Sequence, residues 1–163
     1  MSTARRLHHT YDDYLRLLAD SETKLEYCDG EIFAMAGGTP AHAELSAAMI
    51  SLLRGALGTC KVYSSDLKVR IEATGLSTFP DASVVCDELR TAALDRNAAT
   101  NPAIVVEVTS RSTEDYDRGE KLSHYKQLAS RQAVLVVSHR RRQLTVIART
   151  ADGFDVHEVR SGE

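Results

Sequence analysis

Cysteine and tryptophan are scarce in this sequence. Its 163 residues include three cysteines and no tryptophan. The cysteines, Cys28, Cys60 and Cys86, are odd in number and include no C-x-x-C pair, so we expect neither a disulfide framework nor a zinc ribbon. A chain without disulfides is typical of a reducing compartment, and we therefore expect a cytoplasmic protein.

Long apolar runs are also missing. No segment approaches the ~18 apolar residues of a membrane span, and the N-terminal segment MSTARRLHHTYDDY has no apolar core after its two arginines. The sequence therefore predicts a soluble protein without a membrane segment. Repeats, low-complexity tracts and linkers are absent as well, which at this length indicates a single domain over residues 1–163.

The chain has no excess of positive charge. Twenty Lys and Arg residues stand against 23 Asp and Glu, which gives a net charge of −3 and a pI near 6.1. This balance excludes a generally basic surface that would hold nucleic acid by charge alone. Any phosphate-binding surface must therefore be local.

The N-terminal part carries clear start and turn signals. Thr10 is suited to cap a first helix. Asp29-Gly30 lies between two alternating runs and predicts a β-hairpin in which Glu26 is opposite Phe33. The acidic face of this hairpin can be exposed to solvent.

A second helix is predicted from Thr39-Pro40, a cap followed by proline at the first helical position. Its apolar stripe consists of Leu45, Met49, Leu52, Leu53 and Ala56. His42 begins the same stripe, so it is either a structural residue or part of a site.

The rest of the chain alternates between strand and helix patterns. Residues 61–72 predict one half-exposed strand and residues 76–79 a turn, while the polar, alanine-rich residues 87–101 are interpreted as a short helix in a connecting loop. A helix is predicted over residues 114–129. Further strands are predicted at 133–138, 144–148 and 154–159, the first two joined by the basic turn RRRQ. This order indicates an α/β or α+β protein with a mixed sheet flanked by helices.

Two carboxylates lie where apolar strands are expected. Asp81 falls within the run from Phe79 to Cys86, and Glu107 interrupts the run from Ile104 to Thr109. An unpaired charge is costly there, so each carboxylate needs an ionic partner. If the two strands are neighbours, Cβ atoms on one face are about 4.5 to 5.5 Å apart. One Mg²⁺ ion, which binds carboxylate oxygens at about 2.0 to 2.1 Å, can then bridge both side chains.

A lysine in the following helix is a third candidate. Asp117, Lys121 and Tyr125 are spaced at i, i+4 and i+8, so they stack on the inward edge of the helix. A snorkelling stem or a simple salt bridge to Asp117 would explain the lysine equally well. In a metal site, Lys121 would orient a water molecule or offset negative charge on a phosphorane-like transition state.

These residues resemble the PD-(D/E)xK nuclease superfamily and, more specifically, the restriction-endonuclease-like Uma-two family. Pro80-Asp81 and Glu107-Val108-Thr109 match the superfamily, in which an aspartate and a glutamate on adjacent strands bind magnesium and a lysine completes the site. The other matching pieces are Leu25-Glu26-Tyr27, Asp29-Gly30-Glu31-Ile32, His42, Ser110, Ser112-Thr113 and Asp117 with Lys121 and Tyr125. Together they run from about Tyr11 to Arg149.

The resemblance implies a restriction-endonuclease-like fold, with a mixed central β-sheet, flanking helices, and an N-terminal helix and β-hairpin. It implies an endonuclease that hydrolyses DNA phosphodiester bonds with Mg²⁺, or with Mn²⁺ as a substitute. The implied catalytic residues are Asp81, Glu107 and Lys121, and the implied metal ligands are Asp81, Glu107 and the main-chain carbonyl of Val108. The implied secondary site residues are Glu26, His42, Asp117 and Tyr125.

Three departures from these patterns matter. The usual lysine position, two residues after the glutamate, is Thr109 here, so the resemblance assigns the role to Lys121. The loop that follows has Arg111 where the family has proline, and Ser138-His139 stands where the family tends to have aspartate and proline. These changes are expected to alter the shape of the loops alone.

Other functions stay open at this point. The same fold could be a catalytically silent nucleic-acid or protein-binding module, which the mildly acidic pI favours, or it could hydrolyse a small phosphoester. The six histidines show no paired zinc spacing beyond His8-His9, and no G-x-S-x-G elbow is present. Because cutting both strands of a duplex takes two active sites, we expect a homodimer on double-stranded DNA.

Overall fold

The structure is a computed structural model that describes residues 7–161. The segment MSTARR, with both N-terminal arginines, lies outside the described residues. The helices are α1 (Tyr11–Asp20), α2 (Pro40–Ala56), α3 (Glu114–Arg118) and α4 (Glu120–Tyr125). The strands are β1 (Leu25–Cys28), β2 (Glu31–Ala34), β3 (Lys61–Ser64), β4 (Lys68–Ile71), β5 (Leu76–Thr78), β6 (Ala82–Val85), β7 (Thr91–Ala92), β8 (Asp95–Ala99), β9 (Ile104–Val108), β10 (Ala133–Val137), β11 (Gln143–Thr150) and β12 (Gly153–Arg160). Within the described part, no helix is long and apolar enough to cross a bilayer.

The strands form two six-stranded sheets. The first sheet has the order β2-β1-β5-β4-β8-β7, and the second has the order β12-β11-β10-β9-β6-β3. The pairs β9–β10 and β4–β8 are parallel, whereas the other pairs are antiparallel. The predicted α+β class with a mixed sheet and flanking helices is therefore confirmed, although the strands divide between two sheets.

Strand β9 is buried on both faces, which explains its almost continuous apolar sequence. One face joins the core formed by Val69, Ile71, Leu76, Val105, Tyr125, Leu128, Val134, Val136 and Ile147. The other face packs against α2, in the core formed by Met49, Leu53, Ala82, Val84, Val106, Val108, Leu135 and Val137. Glu107 is on the same face as Val105, so its carboxylate lies inside the molecule rather than in solvent.

The N-terminal elements form where the sequence predicts them. Thr10 caps α1 through a capping box. In the β1–β2 hairpin Glu26 lies opposite Phe33, the predicted register. Asp29 and Gly30 have φ values of 43° and 94°, the positive φ that a two-residue hairpin turn requires at both positions.

Helix α2 begins as predicted, but its buried stripe is narrower. The Thr39 hydroxyl accepts a hydrogen bond from the backbone in the first turn, and Pro40 is the first helical residue. Met49 and Leu53 are buried, whereas Leu52 is 60% exposed. Because α2 covers a single sheet, one line of side chains is enough to fill that contact.

The run from residue 61 to residue 72 is not one half-exposed strand, as we expected. It splits at a turn into β3 and β4, which belong to different sheets. Lys68 in β4 is buried, and its ammonium lies 2.5 Å from Asp95 Oδ2. The alternation in β4 therefore reflects a buried ion pair rather than a face in solvent.

Residues 87–101 do not form the predicted short helix. They contain β7 and β8, and β8 pairs in parallel with β4, placing Ala98 opposite Lys68. Ala98 and Ala99 are fully buried. Contact with the sheet thus overrides the helical preference of alanine. Residues 76–79, interpreted as a turn, also contain a strand, β5.

The helix predicted over residues 114–129 is shorter and interrupted. It consists of α3 and α4, separated by Gly119, whose φ of −106° and ψ of −94° are not helical. Glycine has a low helix propensity, which accounts for a break at this residue. Lys121 and Tyr125 both remain on the buried side of α4.

The expectation that the chain has no disulfide is wrong, because Cys60 and Cys86 are bonded. Lys61 lies opposite Val85 in the antiparallel β3–β6 pair, and continuing that register brings the two cysteines face to face. Their Cα atoms are 4.2 Å apart although the residues are separated by 26 positions in sequence. Cysteine spacing alone does not reveal this pairing. The cytoplasmic location stays a prediction.

Candidate active site

The two carboxylates that interrupt apolar strands face each other. In the β6–β9 pair Ala82 lies opposite Val106, and continuing this register by one residue places Asp81 across from Glu107. Asp81 Oδ2 accepts a hydrogen bond of 2.7 Å from the Val108 N–H. The two acidic side chains therefore come from adjacent strands and the same sheet edge.

His42 contacts Asp81 from the first turn of α2. The helix start is fixed by Thr39, whose hydroxyl accepts the His42 N–H bond at 3.2 Å. The His42 ring then lies with Nε2 3.2 Å from Asp81 Oδ1. Asp81 is thus held on one side by a strand and on the other by a helix, which fixes the orientation of its carboxylate.

Lys121 lies at the centre of a cluster of carboxylates. Its side chain is 4% exposed, and its Nζ is 3.0 Å from Glu107 Oε1. The same Nζ is 3.2 Å from Glu26 Oε1 and 3.8 Å from Asp117 Oδ1. The lysine therefore reaches the glutamate from α4, although Thr109 occupies the usual lysine position. Whether Lys121 takes part in catalysis stays a prediction.

The acidic face of the hairpin turns toward this cluster rather than toward solvent. Glu26 is buried, and Tyr27 pairs with Ser77 of β5. Continuing that register by one residue places Glu26 opposite Thr78. The Thr78 hydroxyl donates a hydrogen bond to Glu26 Oε1. Thr78 was not among the predicted site residues, because nothing in the local sequence tells which strand lies beside β1.

Tyr125 closes the buried side of the cluster. Its ring is fully buried, and its hydroxyl donates a hydrogen bond to Glu107 Oε1. Burial, and then the adjacent Glu107 carboxylate, raise the pKa of the Tyr125 hydroxyl well above its ordinary value. Tyr125 therefore stays protonated and serves as a hydrogen-bond donor to Glu107.

A cavity of about 750 Å³ lies beside the cluster. Its lining includes the predicted residues His42, Val108 and Lys121, and residues Ser110, Ser112 and Thr113 of the loop after β9. The acidic residues of the lining are Glu26, Asp29, Glu31, Asp81, Glu107, Asp117 and Glu120. Lys121 is the single lysine or arginine among the described lining residues, so carboxylates dominate the charge of the cavity.

Burial and excess negative charge favour a proton on Glu107. Burial, and then the neighbouring Asp117 and Asp81 carboxylates, raise the pKa of the Glu107 carboxyl from 4.5 to about 8, against the opposite effect of Lys121. Burial alone would lower the pKa of the Lys121 ammonium, but the surrounding carboxylates of Glu107, Glu26 and Asp117 raise it above its ordinary value. The lysine therefore stays charged, while one proton is retained among the carboxylates.

This retained proton predicts how the stability of the metal-free protein depends on pH. The folded state holds the proton up to pH about 8, whereas the unfolded state releases it near pH 4.5. The free energy of unfolding should therefore fall by about 1.4 kcal/mol for each unit by which the pH rises across this window. Urea unfolding between pH 5 and pH 8 in EDTA measures this pH dependence. Glu107→Gln should make the free energy of unfolding depend less steeply on pH. Stability that rises with pH in this window would contradict the assignment.

The oxygen donors at the cavity are chemically suited to magnesium. Mg²⁺ is usually bound by one or two carboxylates and keeps several waters. Asp81 and Glu107 supply two carboxylates, and Val108, the third predicted ligand, lines the same cavity. Among the described residues, no group of three or more His, Cys, Asp and Glu side chains is arranged to hold a metal ion. Two carboxylates are the kind of donors that magnesium takes while it keeps several waters, so the chemistry of Asp81 and Glu107 is compatible with that ion.

The chain is similar in sequence to known proteins. Residues 11–162 match the Uma2 family, described as "Putative restriction endonuclease". An uncharacterised protein of Synechocystis sp. is 37% identical over 147 residues, which cover 87% of this chain and 75% of the relative. A second uncharacterised Synechocystis protein is 27% identical over 130 residues, 78% of this chain and 73% of the relative.

A solved structure has the same fold. It is a crystal structure from Anabaena variabilis, described as a putative nuclease belonging to DUF820. The TM-score is 0.71 at 17% sequence identity, with 89% of this chain and 82% of that chain covered. At this identity the likeness shows the fold alone.

Proposed function

The chain belongs to the Uma2 family, and from that membership and its buried acidic site we propose that the protein is a magnesium-dependent endonuclease that hydrolyses DNA phosphodiester bonds. The family description, which names a restriction endonuclease, and the similar solved structure, which is described as a nuclease, support the general class.

The observation that carries the proposal is the buried ammonium of Lys121 between Glu107 and Glu26. Burying an ion pair usually costs more in desolvation than it returns, so such a cluster is weak support for stability. Here the cluster lines a cavity and includes Asp81 across the strand pair. Ionisable groups gathered at a cleft at this cost are typical of a catalytic site.

The proposed role of Lys121 follows from its charge and its position. A compact ammonium held by carboxylates stays protonated, so it can donate a hydrogen bond to a phosphate oxygen at the cavity wall. A donor already fixed in place stabilises the charge that develops in the transition state without reorganisation. Glu26 and Asp117 would then be positioning residues, because they hold the lysine.

Asp81 and Glu107 would hold the magnesium ion, with the Val108 carbonyl as a third oxygen. Bound magnesium lowers the pKa of a coordinated water and polarises a phosphate oxygen, and manganese can take its place. Asp81 is oriented for this role by the Val108 N–H and by His42. Glu107 is oriented by the Tyr125 hydroxyl and by Lys121.

Supercoiled plasmid tests the proposal directly. We expect the purified protein to convert it to nicked circles with Mg²⁺ or Mn²⁺, and to leave it intact in EDTA. A homodimer acting on a duplex, which we also propose, should yield linear plasmid early in the reaction. Nicking that persists in EDTA would contradict the metal requirement. DNA binding without any nicking would favour a silent binding module of the same fold.

A further inference from the structure

The turn between β10 and β11 is the most basic stretch of a chain whose net charge is −3. Arg140, Arg141 and Arg142 follow one another there, and all three are exposed. A fourth arginine, Arg111, is exposed in the loop after β9, between the cavity-lining residues Ser110 and Ser112. The proposed nuclease chemistry leaves all of these arginines without a role.

Both basic segments lie at the same edge of the second sheet. β9 and β10 are parallel, with Val108 opposite Val137, so their carboxyl ends meet at one edge. Val108 lines the cavity, and each basic segment begins within three residues of this pair. Arg111 therefore adjoins the lining of the acidic cavity, and Arg141 and Arg142 lie at the same sheet edge, where they line a second pocket with Leu45 and Met49.

The turn is anchored to the site by hydrogen bonds. Thr109 Oγ1 lies 2.8 Å from His139 Nδ1, and it also accepts the His139 N–H bond at 3.2 Å. Arg140 Nε lies 3.1 Å from Glu114 Oε2 at the start of α3. Arg140 thus fastens the turn to the helix that follows the cavity loop, and the turn is held in place before any ligand binds.

The remaining arginines are available to a ligand. Among residues 7–161, the side chains of Arg111, Arg141 and Arg142 form no ion pair or hydrogen bond. The contacts of Arg141 and Arg142 are made by their main-chain carbonyls, to Gln143 and Ser161. Three exposed guanidinium groups without partners at one edge form a local positive surface, which we term the basic rim (Arg111, Arg141 and Arg142).

An acidic cavity cannot attract a polyanion unaided. Because Asp and Glu residues outnumber the single lysine among the described lining residues, the cavity repels a phosphodiester backbone until cations offset that charge. Arginine binds phosphate through two parallel hydrogen bonds, and each neutralised phosphate releases counterions. We infer that the basic rim binds the phosphate backbone of double-stranded DNA and holds it across the mouth of the cavity. This inference rests on the proposed function, because it assigns the substrate contact of the same site.

Salt-dependent binding tests the inference without cleavage. A fluorescein-labelled 20-base-pair duplex is titrated in EDTA at several NaCl concentrations, and binding is followed by anisotropy. The test variant is Arg111→Gln, Arg141→Gln and Arg142→Gln combined. The matched control is Arg54→Gln, Lys61→Gln and Arg96→Gln, three exposed cations away from the rim that carry the same total charge.

We expect the rim variant to weaken binding at low salt at least tenfold and to make the slope of log K against log[NaCl] less steep by about two to three. The control should keep the slope of the unmodified protein. Equal slopes for all three proteins, or equal loss in both variants, would overturn the inference, as would no binding of the duplex by the unmodified protein. Tighter binding of single-stranded RNA through the same arginines would overturn the assignment to double-stranded DNA.

The same variants separate this inference from the proposed function. If the unmodified protein nicks plasmid and the rim variant binds and nicks equally well, the inferred role of the basic rim in DNA binding is wrong and the nuclease proposal stands. If the rim governs binding but no metal supports nicking, the nuclease proposal is wrong and the rim stands. Thermal unfolding of each variant confirms that the substitutions at exposed positions leave the fold intact.

Discussion

Replacing Asp81 by alanine should abolish metal-dependent nicking of supercoiled plasmid, with a loss of at least about 10³-fold in rate. Asp81 is one of two carboxylates at the proposed metal, and its partner Glu107 retains a proton up to pH about 8. Without Asp81 the proposed metal would keep a single carboxylate ligand, Glu107, whose pKa is raised by burial. The loss should therefore fall on metal binding and on rate together.

The substitution can be controlled for changes in the fold. Asp81 accepts hydrogen bonds from the Val108 N–H and lies beside His42, so alanine removes contacts as well as charge. Asp81→Asn keeps a side-chain oxygen for the Val108 N–H and removes the charge, and it should lose nearly as much activity. Asp87→Asn, at an exposed aspartate beyond β6, should cut like the unmodified protein. Equal nicking by the unmodified protein and Asp81→Ala would refute the proposed site.

The positions of the central residues of the candidate site could be predicted because their signals are local. A carboxylate inside an apolar strand is recognisable from neighbouring residues alone, and this identified Asp81 and Glu107. The turn at Asp29-Gly30 and the cap at Thr39 are equally local, and both form as predicted. The i, i+4 spacing of Asp117 and Lys121 also placed both residues on one side, although the helix is broken between them.

The parts that could not be predicted depend on which strands become neighbours. Thr78 reaches Glu26 because β1 lies next to β5, and Lys68 is buried because Asp95 approaches it from β8. An alternating strand has the same sequence whether its polar side faces water or a buried partner. The register that joins Cys60 to Cys86 is equally absent from the local sequence.

The position of Lys121 depends both on local sequence spacing and on contacts between distant parts of the chain. Its spacing from Asp117 is visible in the sequence, but its distance to Glu26 depends on a hairpin almost a hundred residues earlier in the chain. The structure brings three carboxylates to one ammonium, and their negative charge exceeds what one lysine can balance. The properties of Lys121 are therefore properties of the whole cluster, which makes its replacement the most informative test.

Lys121→Met should reduce the rate of nicking by about 10²- to 10³-fold, the range found when one fixed donor to the transition state is removed. Methionine keeps the length and packing of the side chain but has no charge. The Mg²⁺ concentration for half-maximal rate should not rise, because the lost charge is positive and the carboxylates remain. A rise in that concentration with an unchanged maximal rate would show that Lys121 serves metal binding and not catalysis.

The same replacement should destabilise the fold, because Glu26, Glu107 and Asp117 lose their shared cation. Removing one partner of a buried ion pair costs about 3 to 5 kcal/mol. The loss should be largest near pH 8 and smaller near pH 5, where the carboxyls of Glu107 and Asp117, whose pKa values are raised, can take up protons. Adding Glu26→Gln to Lys121→Met removes one of the unpaired charges, so urea unfolding should show part of the stability restored. Activity should not return with it, because the ammonium is still missing; recovery of nicking in the double variant would mean that Lys121 has only a structural role.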